Sequence, residues 1–262
     1  MLSATTIIQK IPLFGGMFSV DRSTGLEEIN SWPALMILTS FIWLAVAGLL
    51  GVAMPLVQLL GINTNLFYMS LTAHGAALAF PFVFQLMVGV GLHRLGSCVG
   101  KPITGPIPAL IYIFMNLGAA LLTVAILMGL NISLVTMFPL PVVGVMTGQW
   151  SMNALIIGFS GIALVLITMI VLYPVQVIRM SFFEESREDL LLSPRSLKDP
   201  GMLGMVLAAL VLLVAGIPLL IVASAILGAL YGIIPMAAIG WATSPVVFQF
   251  VFFIFAHNLM EA

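Results

Sequence analysis

The chain has 262 residues, of which 62% are hydrophobic and 6% charged, with a formal net charge of -1. Soluble domains carry roughly a quarter charged residues, so eight Lys and Arg with nine Asp and Glu exclude a water-exposed surface over most of this length. The charge balance gives no reason to expect nucleic acid as a partner, and the single cysteine, Cys98, excludes an intrachain disulfide framework and a Cys-based zinc or iron–sulfur site.

Residues 1–32 carry Lys10 and Arg22 but lack the basic flank and apolar core of a signal peptide. They read as a cytoplasmic N-terminal segment ahead of a transmembrane domain over 33–262. Beyond Glu28 the charges fall in clusters. No charged residue lies between Glu28 and Arg94, between Lys101 and Arg179, or between Asp199 and Glu261. Each gap holds two apolar runs, and a spanning helix needs about 20 such residues. The pattern predicts an all-α polytopic membrane protein with helices near 34–60, 66–93, 107–130, 150–178, 201–230 and 243–262. The breaks are residues 61–65, a Pro-rich stretch at 131–149, and 231–242 with Gly232, Pro235 and Gly240.

With six helices, Lys10, Arg22, Arg94, Lys101, Arg179, Arg187, Arg195 and Lys198 all fall on one side. The positive-inside rule makes that side the cytoplasm, places the N-terminus there, and leaves 179–200 as a cytoplasmic loop. The expected location is a cell (inner or plasma) membrane.

Ionisable side chains inside the predicted spans are few: His74, His93, His257 and Glu261. Each costs several kcal/mol or more in a bilayer, which makes function the default hypothesis. His93, beside Arg94, is explained by snorkelling at the interface. His74 sits early in the second helix among Ala73, Gly75, Ala76 and Ala77. Those small neighbours leave room for a large group beside the ring, and neutral imidazole ligates heme iron. A hydrogen bond to a neighbouring helix is the other reading of the same residue. His257 and Glu261, spaced i and i+4, share one face of the sixth helix. Coordination of one metal ion by both would remove the cost of burying the carboxylate; an intramembrane hydrogen bond is again the simpler alternative.

Taken together, these positions resemble the N-terminal half of the catalytic subunit of the heme-copper oxidase superfamily, which includes the nitric oxide reductases. Leu71-Thr72-Ala73-His74-Gly75 is similar to the segment carrying an axial ligand of the low-spin heme. Thr136-Met137-Phe138-Pro139-Leu140-Pro141 resembles an aromatic, Pro-rich segment between the third and fourth helices. Phe252-Phe253-Ile254-Phe255-Ala256-His257-Asn258 is similar to the sixth-helix segment holding a ligand of the second metal. In many oxygen reductases a tyrosine follows that histidine by four residues. Here the position is Glu261, as in nitric oxide reductases, where the glutamate ligates or neighbours a non-heme iron. His257-Asn258 also looks like the C-type oxygen reductases, which keeps O₂ open as the alternative substrate. The loop 94–106 has no Asp or Glu, so a proton channel of the pumping A-type oxidases is not expected.

The resemblance implies half of a twelve-helix bundle in a membrane-bound oxidoreductase of a respiratory chain. His74 would be an axial ligand of a low-spin heme. His257 and Glu261 would hold a non-heme iron (copper in the alternative) facing a high-spin heme, with Glu261 also catalytic. The implied partners are the C-terminal half of the catalytic subunit, or a second chain supplying it, an electron-donating subunit linked to cytochrome c, copper or quinol, and the lipid bilayer. A chain reaching only to the sixth helix is expected to be a fragment or one half of a split subunit. A non-enzymatic channel or assembly protein is the competing expectation.

Overall fold

A computed structural model describes residues 31–62, 64–99, 102–129, 151–182 and 200–261. They are helical, with no strand among the described residues. Helix α1 spans Ser31–Leu59, α2 Thr64–Ala77, α3 Gln85–Val99, α4 Pro106–Leu127, α5 Met152–Ile167, α6 Tyr173–Phe182, α7 Pro200–Leu230 and α8 Pro245–Glu261. Two π-helical segments, Leu78–Phe84 and Thr168–Leu172, fuse α2 to α3 and α5 to α6 into single long rods.

Both π segments have a proline as their cause. Pro81 lies inside the first. Pro174 follows the second, four residues after Ile170. A proline removes one helical hydrogen bond and clashes with the carbonyl four residues back, and a widened turn relieves both. The rods therefore stay continuous across the apolar layer, where an unpaired backbone group would be costly.

Five helical rods are long and apolar enough to cross a membrane: Trp32–Leu59, Leu66–Val99, Pro106–Leu127, Met152–Phe182 and Pro200–Leu230. The chain is thus a polytopic helical membrane protein, and the expected boundaries are close to these. The second rod ends at Val99 rather than near residue 93, so His93 and Arg94 lie within it. The expected sixth helix is the shorter α8, whose 17 residues rise about 25 Å against the roughly 30 Å of a hydrocarbon core. It starts at Pro245, close to the expected 243, because Gly232 at φ +72°, Pro235 and a 3-10 turn at Met236–Ile239 break the chain after α7.

Packing is densest where side chains are smallest. A Cβ on Gly118 of α4 would stand 2.7 Å from the carbonyl oxygen of Gly161 on α5, and one on Gly161 would stand 2.6 Å from that of Gly118. The two backbones touch there, which small residues alone permit. The core behind this contact includes Met115, Leu122, Leu155, Val165, Met169 and Ile226. Large apolar side chains also cover the outside. Val214 is 69% exposed and Leu49 74%. Such a surface is stable in lipid and not in water. Helix α8 makes its main contacts with α7.

Candidate functional site

Helix α2 carries His74 against α1. The ring Nδ1 lies 2.8 Å from the carbonyl oxygen of Ala47. A carbonyl can only accept, so Nδ1 carries a hydrogen and donates it, and in the neutral imidazole Nε2 is then the lone-pair nitrogen. Gly51, one turn beyond Ala47, makes the seat: a Cβ there would be 3.0 Å from the ring Cε1. His74 itself is half-buried. Metal-bound histidines commonly fix their other ring nitrogen in this way, and a structural histidine in a membrane bundle makes the same bond.

Beside this seat, on the seam of α1, α2 and α4, lies a cavity of about 60 Å³ bordered by Trp43, Ala73, Ala77, Pro81 and Thr123. Cofactor pockets have volumes of about 300–1,000 Å³. The donor set at His74 fits an iron ligand, but the adjoining cavity does not hold a porphyrin with α1, α2 and α4 packed as they are. A heme at His74 would have to lie on the part of the ring that the bundle leaves uncovered.

His257 is placed differently. It is an exposed residue of α8 and its ring stacks on Phe253, one turn earlier, at 5.2 Å between centroids and 13° between planes. Helix α8 continues through Glu261, so the i, i+4 relation to His257 holds along the backbone. The Glu261 side chain lies outside the described residues, as do the 136–141 motif, the segment 1–30 and the loop residues 183–199. His93 is half-buried on α3, and its carbonyl accepts from Ser97 Oγ at 3.0 Å. Counted along the second rod, its Cα is about 28 Å from that of His74 at 1.5 Å per residue. Among the described residues no group of three or more His, Cys, Asp or Glu side chains could hold a metal ion. The histidines are not gathered into one centre within this chain.

Three uncharged amides, Asn116, Gln85 and Gln176, give no signal among ionisable groups. Trp43 Nε1 donates to Asn116 Oδ1 at 3.2 Å, tying α1 to α4. Gln85, 1% exposed, donates from Nε2 to Met36 O at 3.2 Å and to Thr39 Oγ1, while its Oε1 has no partner among the described residues. Gln176 is fully buried on α6, and neither its Nε2 nor its Oε1 has a hydrogen-bond partner among them. The signal available in the sequence was an amide within an apolar run.

Comparison of the chain with protein-family models, with curated proteins and with solved structures gives no match.

Proposed function

We propose that residues 1–262 are the N-terminal half of the heme-containing catalytic subunit of a membrane respiratory reductase, acting on nitric oxide. The observation that carries the reading is the His74 ring, with Nδ1–H held by Ala47 so that Nε2 is the nitrogen available to a metal. In the proposed reaction two NO, two electrons and two protons give N₂O and water. Hemes and a non-heme metal would supply electron storage and Lewis acidity.

The chain's own residues have narrower roles. Ala47 and Gly51 fix the ring plane and tautomer of His74. His257 and Glu261 offer one imidazole and one carboxylate from one face of α8, and Glu261 can hold or pass a proton. The remaining ligands of such a centre would come from helices beyond residues 1–262.

A second reading is non-enzymatic, and the same hydrogen bond favours it: with Ala47 accepting and Gly51 as its seat, His74 also suits a purely structural tie between α1 and α2. The test is a reduced-minus-oxidised spectrum of the native complex and of its His74→Ala form. Heme in the wild type, with the low-spin signal lost on substitution, supports the reductase. A complex without heme, or an unchanged signal at normal protein level, overturns it.

A further inference from the structure

A cleft of about 380 Å³ opens between the second, fourth and fifth rods, away from His74. Its walls are apolar and include Leu86, Met87 and Val90 of α3, Met169 of the fourth rod and Leu212 of α7. Met87 and Val90 are exposed, so one side of the cleft faces the surroundings of the bundle. Its volume lies within the usual range for a ligand site.

Tyr173 brings the one polar side-chain group to the cleft lining. It is buried, with its hydroxyl 2.5 Å from where a Cβ of Gly91 would stand. Any larger residue at 91 would displace that hydroxyl. One turn further along the same face of α6 comes Gln176, fully buried with both amide atoms unpartnered among the described residues. Such a group costs about 1–3 kcal/mol unless something hydrogen-bonds it.

Charge follows in the same direction. The rods containing α3 and α6 are alternate spans of the chain, with α4 the single span between them, so they run the same way across a membrane. Arg94 is one turn beyond Gly91, and Arg179 is one turn beyond Gln176. Along the bundle axis the order is therefore apolar cleft, the Tyr173 hydroxyl, then, beyond the cleft lining, two guanidinium groups. That order matches an acyl chain, an ester carbonyl and a phosphate.

We propose that this cleft is a binding site for one anionic phospholipid. Its acyl chain fills the space between α3, Met169 and Leu212. Its ester region meets Tyr173, and its phosphate lies at the Arg94 and Arg179 end. Basic positions between membrane helices near the cytoplasmic surface favour anionic headgroups, and guanidinium binds phosphate in a bidentate way. The inference is independent of the heme reading, since none of these residues belongs to that site.

The test uses the purified native complex in nanodiscs of phosphatidylcholine with a minor fraction of phosphatidylglycerol. Lipid retained through detergent washing is measured by mass spectrometry. About one phosphatidylglycerol per chain is expected, enriched over its share of the disc. The Arg94→Gln, Arg179→Gln double variant should weaken its retention on the order of tenfold or more. Val90→Trp, on the exposed rim where folding is little affected, should fill the cleft and abolish retention. Equal retention of the two lipids, retention of a neutral quinone or other uncharged molecule in the cleft, or unchanged phosphatidylglycerol in both variants would overturn the proposal.

Discussion

His74 on α2 and Ala47 on α1 are joined through a 2.8 Å hydrogen bond that fixes the protonated nitrogen of the imidazole. The bond holds only because Gly51 leaves the ring room to lie flat against α1. Gly51→Val is therefore expected to push the ring off its carbonyl and to cost the complex its low-spin heme signal on the reductase reading. Gly48, one turn earlier on α1, has open space where a Cβ would go, so Gly48→Ala should leave the spectrum intact. Equal spectra from both variants would show that the seat is not needed.

The contact between Gly118 and Gly161 gives a prediction about stability. Adding a side chain at Gly118 must part α4 from α5, since what it meets is backbone. Overpacking of this kind costs about 1–3 kcal/mol. Gly118→Val should lower the thermal midpoint of the solubilised protein by several degrees, on the order expected for that cost. Gly204→Ala on α7, with nothing within 4 Å, is the control and should leave the midpoint in place. A Gly118 variant as stable as the control would mean that the two helices can re-pack.

Helix number and position were largely legible because charge is excluded from the apolar layer, so Glu28, Arg94, Lys101, Arg179 and Asp199 mark the ends of the gaps by elementary solvation. The interior was less legible. Nothing in the run around Thr168 announces a widened turn; the cause is Pro174, and its effect falls on residues earlier in the chain. The pairing of His74 with Ala47 joins positions 27 apart and depends on how two apolar rods rotate against each other, which hydropathy does not encode. Gln176 is silent in a charge pattern because an amide carries no charge, although burial gives it an unmet need for partners among the described residues. The start of α8 was legible: Gly232, Pro235 and Gly240 announce a break over 231–242, and the helix begins at Pro245, two residues from the expected 243.

Orientation yields a third prediction. Single-cysteine labelling in a Cys98→Ser background should modify Ser3→Cys and Ser193→Cys only from the cytoplasmic side, and Thr147→Cys only from outside. The motivation is the distribution of all eight Lys and Arg residues on one side of the predicted spans. The opposite sidedness, or labelling from both sides, would refute an N-terminus in the cytoplasm.

The last prediction concerns the metal that α8 would help to hold. Glu261 follows His257 by four residues on one helix, so the two positions fall on one face of α8. The imidazole of His257 lies against Phe253 at 5.2 Å, on an exposed part of α8, and a further set of ligands would approach from there. A hard carboxylate oxygen with an imidazole suits iron, whereas copper in such a site is better served by imidazoles alone. The carboxylate also changes the chemistry available, because it can exchange a proton when it is not firmly bound. Position 261 lacks the tyrosine that supplies an electron and proton for O–O cleavage in many oxygen reductases, and joining two NO molecules has no such requirement. Metal analysis of the native complex should therefore find non-heme iron, with NO turnover exceeding O₂ turnover. Glu261→Gln keeps the size of the side chain and removes its charge, and should lower NO turnover at least tenfold, or about 1.4 kcal/mol in barrier, with the low-spin heme spectrum unchanged. Stoichiometric copper with fast O₂ reduction would reverse the assignment in favour of an oxygen reductase.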